Sequence, residues 1–228
     1  RERGIGGVIF ENRRPGNVEI DEASIGLYFN YNVEQLIYKR EIIDDIIKYD
    51  TDSPMLEVMA GLGQVSFDIL SRSSSKNIVM QEDKELYIKH IKDAIEKEYV
   101  GEYCTTILSP SHQLPFEGET FQFVYSINTL HRMEHPVETI REMYRVLKLG
   151  GKMILSDLRR DLIEDFANYR IKELQSLQNA EWMIKNFLNS WGASYTLAET
   201  EQLMKEAQIP NFKVAEDGVV ALIVEILK

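Results

Sequence analysis

Between Pro54 and Leu158 the chain alternates short apolar runs with amphipathic stretches, and this rhythm leaves few folds open. The runs Met55–Met59, Asn77–Gln81, Tyr103–Leu108, Phe121–Ile127 and Lys152–Leu158 read as five strands. Between them, Gln64–Arg72, Lys84–Tyr99 and Pro136–Leu147 carry apolar residues at helical spacing. Strands separated by helices imply right-handed crossovers, and hence a parallel sheet with helices on both faces. Ahead of this region, Leu36, Ile37, Ile43, Ile46 and Ile47 predict a helix over Val33–Tyr49, with Asn32 as its N-cap and Pro54 enforcing the break after it. Residues 1–32 are Gly- and Asn-rich and read as an irregular arm.

The tail departs from the alternation. Residues 159–190 read as helical, and the insert 159–195 is expected to form a cap. Thr196-Leu-Ala-Glu199 is a capping-box pattern that opens a short helix to Ala207. Asn211–Ala215 and Val219–Leu227 read as closing strands around Glu216-Asp-Gly218, a turn that makes them antiparallel to each other.

A chain of 228 residues suits one well-buried core, so a single domain over 1–228 is expected. No apolar run reaches the roughly 20 residues that span a bilayer, and no signal core follows the charged N-terminus, so a membrane or secreted protein is not expected. The first residue is not Met, which leaves a lost leader open. The single cysteine, Cys104, forbids an intrachain disulfide and suits a reducing, cytoplasmic setting. No His, Asp or Glu group has metal-ligand spacing, so no metal is expected. A formal charge of −11 repels phosphate backbones, which favours a small-molecule substrate over nucleic acid. The basic pairs Arg13-Arg14 and Arg159-Arg160 read as solvated surface pairs.

The first strand of the alternation runs straight into Ala60-Gly-Leu-Gly63 and a helix. In a parallel sheet this turn lies at the carboxyl edge, beside the point where strand order reverses, and ligands bind there. Gly61 and Gly63 let backbone N–H groups approach a ligand, and Glu57 within the strand needs a partner if buried. Gly63-Gln-Val lacks the Gly-Lys-Ser/Thr ending of a phosphate-binding loop, and Ser66 stands where a dinucleotide fingerprint needs its third glycine. A bound diphosphate is therefore not what the loop suggests.

Leu114-Pro-Phe-Glu-Gly-Glu-Thr-Phe, the strand through Ile127, Leu130-His131, the helix ending Arg145-Val-Leu-Lys-Leu-Gly-Gly151 and Lys152-Met-Ile-Leu-Ser-Asp-Leu158 form one continuous pattern. It resembles class I S-adenosylmethionine-dependent methyltransferases, nearest the type 11 subgroup that includes the ubiquinone/menaquinone-biosynthesis C-methyltransferases. The resemblance implies an α/β, Rossmann-like three-layer sandwich with a seven-stranded, mostly parallel sheet, its last strand antiparallel, and a helical cap after strand five. It implies S-adenosyl-L-methionine as cofactor, with Glu57, Ala60, Gly61 and Gly63 around its amino-acid part. Glu82 is the choice for the ribose hydroxyls, with Gln81 and Asp83 one register step away. Ser109 is placed near adenine, and Ser126 and Asn128 near the methionine end.

His131 is the candidate base, packing of the next helix being its bland alternative. Tyr28, Tyr31, Trp182 and Trp191 are candidates for the substrate pocket, or for simple packing of arm and cap. Met59 stands where the family has its first glycine, and Pro110 where it has an acid for the adenine amino group. These departures motivate a second reading, a non-catalytic or regulatory protein that keeps the fold. The acceptor atom and a homodimeric state are left open.

Overall fold

The structure is a computed structural model that describes residues 16, 20–49, 51, 53–73, 76–98, 100–162 and 164–228. Its seven strands are β1 (Met55–Val58), β2 (Ile78–Glu82), β3 (Cys104–Leu108), β4 (Phe121–Ile127), β5 (Leu147–Leu158), β6 (Phe212–Asp217) and β7 (Ala221–Leu227). They form one sheet in the order β3-β2-β1-β4-β5-β7-β6. β1 pairs in parallel with both β2 and β4, so strand order reverses there. β7 runs antiparallel to β6, as the Asp-Gly sequence predicts, and to β5, as the resemblance implies.

Side chains alternate across this sheet because the strand period is two. Leu56, Val58, Val124, Met153, Leu155 and Val224 face one core, which α5 (Pro136–Val146) and α8 (Leu197–Glu206) close through Ile140, Met143 and Met204. Met55, Ile78, Met80, Phe123, Tyr125 and Ile154 face the other. That side is closed by α2 (Arg40–Lys48), α3 (Gln64–Arg72) and α4 (Glu85–Glu98) through Ile42, Ile43, Ile46, Ile69 and Ile91. The three-layer expectation therefore holds. Thr196 and Glu199 make the reciprocal hydrogen bonds of a capping box at the start of α8.

The N-terminal reading needs correction. The first helix, α1 (Ile25–Gln35), begins within the segment expected to be irregular, and Asn32 is interior to it rather than its cap. Asn32 donates its amide back to the Tyr28 carbonyl at 3.0 Å. Asp21 and Ser24 exchange hydrogen bonds just before the helix: Asp21 Oδ1 accepts from the Ser24 N–H at 2.8 Å, and Ser24 Oγ from the Asp21 N–H at 3.1 Å. The helix then buries Tyr28 and Tyr31 on one side. Tertiary burial of two aromatics has overridden a segment of poor propensity. A 3₁₀ turn, Leu36–Lys39, separates α1 from α2.

The insert after β5 forms two helices, α6 (Glu164–Gln175) and α7 (Ala180–Ala193). Ala167, Leu174, Met183, Phe187 and Trp191 pack with Tyr31 of α1 and with Val220 and Ala221 at the β7 end. The cap thus sits over the carboxyl end of β5. Arg159-Arg160 is not a solvated pair: Arg160 is buried, bonding the Ser194 carbonyl at 2.9 Å and pairing with Glu199. Arg159 pairs with Asp161 and Glu216. Arg13-Arg14 lies outside the described residues. Cys104 is buried in the sheet core, and burial pushes its thiol up to about 11.

Candidate active site

All the carboxyl ends of the parallel strands open on one edge, and the loop after β1 turns there. Met59 (φ 58°), Gly61 (φ 62°) and Gly63 (φ 81°) all take the left-handed conformation. Gly63 needs its missing side chain for packing as well, because a Cβ there would meet the Phe67 ring at 2.7 Å. Gly61 differs: the nearest atom to an added Cβ is Arg132 Nη1 at 3.9 Å. Gly63 is thus demanded by the fold, whereas Gly61 keeps the groove floor bare. Met59 accepts the strained backbone with its N–H bonded to Gln81 Oε1 at 2.9 Å.

The buried acid Glu57 finds its partner inside the protein. Ser66 Oγ donates to its carboxylate, and Ser66 also bonds the Tyr125 hydroxyl at 2.9 Å. The residue that breaks the dinucleotide fingerprint is therefore what satisfies the strand acid. Burial pushes Glu57 up to about 8, the Ser66 hydrogen bond opposing and the nearby Glu82 charge reinforcing it. Glu82 ends β2 with Oε2 accepting the Gly61 N–H at 2.7 Å and Oε1 the Asp83 N–H at 3.0 Å. Burial raises it to about 7, against the pull of Arg132.

The groove along this edge has two parts, and Met59 lines both. One part is walled by Glu57, Ala60, Gly61, Gln64 and Asn128. The other is walled by Asp83, Ser109, Pro110, Ser111, His112 and His135. The expected cofactor residues Glu57, Ala60, Gly61 and Asn128 are brought together, and Ser109 lies further along. Gly63, Glu82 and Ser126 stand behind the wall, Glu82 fully buried beneath Gly61. The Ser126 hydroxyl is spent on the Val58 carbonyl at 2.7 Å and on Thr129.

A second cavity adjoins the groove beneath α1, α6 and α7. Tyr28, Asn32, Asn128 and Arg132 line both spaces, so the two meet at the end of β4. His131 lies on the cavity wall and is buried. Asp157, at the end of β5, accepts from His131 Nδ1 at 2.8 Å and from the His131 backbone N–H at 2.6 Å. Burial alone would raise Asp157, but His131 and Lys39 hold it below the ordinary carboxylate value. Tyr31 lines the cavity, as do Tyr38, Phe166 and Phe187. Trp182 and Trp191 do not; Trp191 stacks on Phe187 and donates Nε1–H to the Arg160 carbonyl at 3.0 Å, and Trp182 packs edge-on to Tyr31. Sequence reasoning missed Arg132, Arg170 and Lys39, because only the fold brings them to one cavity.

Residues 45–155 match the family model described as a methyltransferase domain. The ubiquinone/menaquinone biosynthesis C-methyltransferase of Ruegeria sp. (strain TM1040) is 28% identical over 44% of this chain and 40% of its own length. The sterol 4-C-methyltransferase of Caenorhabditis elegans is 30% identical over 45% of this chain and 30% of its own length. The chain thus spans well under half the length of these relatives. Among solved structures, an S-adenosylmethionine-dependent methyltransferase from Aquifex aeolicus superposes with a TM-score of 0.67 at 14% identity, covering 91% of this chain and 98% of that one. The plantazolicin methyltransferase BpumL, solved with a substrate analogue and S-adenosylhomocysteine, superposes with a TM-score of 0.67 at 16% identity, covering 91% and 92%. The fold is that of the class I S-adenosylmethionine-dependent methyltransferases. Residues 45–155 are thus similar in sequence to a methyltransferase domain, and a quinone-biosynthesis C-methyltransferase is among the relatives they match.

Proposed function

We propose that this chain is an S-adenosylmethionine-dependent methyltransferase acting on a small molecule. The observation that carries the reading is the junction of two spaces, a glycine-floored groove and the cavity beneath the cap, at Tyr28, Asn32, Asn128 and Arg132. The groove fits the cofactor in its own chemistry. Gln64 Nε2 and Ser109 Oγ are buried without hydrogen-bond partners among the described residues, one in each part of the groove. Such atoms are costly unless a ligand pairs with them. Glu57, Ala60, Gly61 and Gln64 would hold the amino-acid end and Ser109 the base, while Glu82, beneath Gly61, would meet the ribose with the lone pairs that the Gly61 and Asp83 N–H groups leave. Gly63 and Ser126 support the loop and β4 from behind.

When bound, S-adenosylmethionine supplies a methyl group on a positively charged sulfur that leaves as a neutral thioether. The chain's own task is mainly to position the acceptor in line and to exclude water. The α6–α7 cap and α1 do this by roofing the cavity. Asp157 fixes the His131 ring, and its hydrogen bond to Nδ1 makes Nε2 the basic nitrogen of the neutral ring. His131 would then take the proton from an acceptor that carries one.

The relatives' names, quinone and sterol methyltransferases, favour an acceptor with an apolar body, and Tyr31, Tyr38, Phe166 and Phe187 suit one. We further read the chain as one cytoplasmic domain over 1–228, with no nucleic-acid partner given its charge of −11. No helix among the described residues is long and apolar enough to cross a membrane. A homodimer is compatible with this reading. Incubation with the cofactor and fractionated small-molecule extracts tests the function. Substrate-dependent S-adenosylhomocysteine formation is expected, and its absence across fractions, despite cofactor binding, would favour the non-catalytic reading.

A further inference from the structure

The cavity beneath the cap is lined by three cationic side chains, Lys39, Arg132 and Arg170, and by no Asp or Glu among the described residues. All three are buried, with relative exposures of 3%, 8% and 4%. This is unexpected in a chain of net charge −11. Each cation has an acid nearby but outside the lining: Glu173 bonds Arg170 Nη1 at 3.1 Å, Glu82 acts on Arg132, and Asp157 and Asp217 act on Lys39. These acids offset charge without exhausting the donors. Arg170 Nε and Nη2, Arg132 Nη2 and Gln35 Nε2 are buried with no hydrogen-bond partner among the described residues. All four atoms belong to residues of this one cavity.

Buried N–H groups of this kind are satisfied in functioning proteins, and a guanidinium with two open donors matches a carboxylate or phosphate in its fork. The rest of the lining is largely apolar and aromatic, through Tyr38, Phe166, Phe187 and Leu158. We propose that the substrate of this cavity is an anion, an apolar or aromatic body bearing a carboxylate or phosphate group that Arg170 anchors. The inference rests on the methyltransferase reading for calling the ligand a substrate. The anion is the handle, while the acceptor atom lies toward Asn128, where cavity and groove meet. Arg170 is held for this task from behind. Its guanidinium stacks 5.3 Å from the centre of the Tyr38 ring, and Glu173 also accepts from the Tyr38 hydroxyl at 2.9 Å.

The test titrates phenylacetate, phenyl phosphate and neutral phenylacetamide into the full chain saturated with S-adenosylhomocysteine, by calorimetry or ligand-observed NMR. At least one anion is expected to bind at millimolar concentration or better, and the amide about tenfold more weakly or not at all. Preference for phenyl phosphate assigns the phosphate, and preference for phenylacetate the carboxylate. Arg170→Gln should abolish the preference and Arg170→Lys retain part of it, with S-adenosylhomocysteine affinity unchanged in both. Equal binding of amide and anions to the wild type, binding of neither anion, or a preference that survives in a folded Arg170→Gln overturns the proposal. The wild-type comparison decides even if that variant fails to fold. Failure of S-adenosylhomocysteine to bind the wild type sinks the methyltransferase reading instead, whatever the anions do.

Discussion

Replacing Glu57 by Gln should make the protein more stable than the wild type at pH 8 and remove that advantage at pH 4. The reasoning starts from the place of Glu57 in β1, 2% exposed, with Ser66 as its hydrogen-bond donor. Burial raises its carboxyl from the ordinary 4.5 to about 8, so the folded state holds a proton that the unfolded chain releases. Between those values the folded state binds more protons than the unfolded one, and stability falls as pH rises. Each pH unit in that window costs about 1.4 kcal/mol. Across the whole window the loss approaches about 5 kcal/mol, an upper bound because Ser66, Tyr125 and Glu82 can readjust around the ionised group. Gln keeps the acceptor for Ser66 and cannot ionise. Urea unfolding of both proteins at each pH from 4 to 9 gives the difference directly, and the pair cancels titrating groups other than Glu82 and Tyr125, which interact with the Glu57 charge. The stability gap should widen steadily in favour of the variant between about pH 5 and 8 and then level off. Parallel pH curves for the two proteins would refute the reasoning.

Four other outcomes follow from the geometry. Gly63→Ala should cost about 1–3 kcal/mol in unfolding free energy, since it combines a left-handed φ with the Phe67 contact. Gly61→Ala should cost only about 1 kcal/mol in the same assay, yet weaken S-adenosylhomocysteine binding in calorimetry by tenfold or more, because its Cβ would stand on the groove floor. Thr196→Ala should destabilise by about 1 kcal/mol through loss of the α8 capping box, read from thermal or urea melts. The neutral His131 ring should be the Nδ1–H tautomer in long-range proton–nitrogen NMR spectra, and Asp157→Ala should abolish that preference.

The sheet was legible because parallel strands and crossover helices impose two periodicities on one chain, and β4 falls on the expected residues Phe121–Ile127. The capping box carried through, Thr196 with Glu199 starting α8, whereas the β6–β7 turn falls two residues later than expected, at Gly218-Val219-Val220, because Glu216 and Asp217 pair within β6. The start of α1 was missed because Asn-rich sequence reads as loop until Tyr28 and Tyr31 find the core, although Asp21-x-x-Ser24 was a usable signal. Glu57 announced a buried acid, but its partner Ser66 stands beyond the glycine loop, in the first turn of α3, and only the fold brings the two together. Least legible were Lys39, Arg132 and Arg170. They come from a 3₁₀ turn, a loop after β4 and the cap, and no local pattern links positions that far apart.

The account stands or falls on the groove that opens at Glu57 and ends near Ser109. Calorimetric titration of S-adenosylhomocysteine into the wild type and into Glu82→Ala tests it most directly. The account predicts saturable one-to-one binding to the wild type, and at least about a tenfold loss in a variant that still unfolds cooperatively. No binding to the wild type at millimolar concentration, or equal affinity for the two proteins, would contradict it.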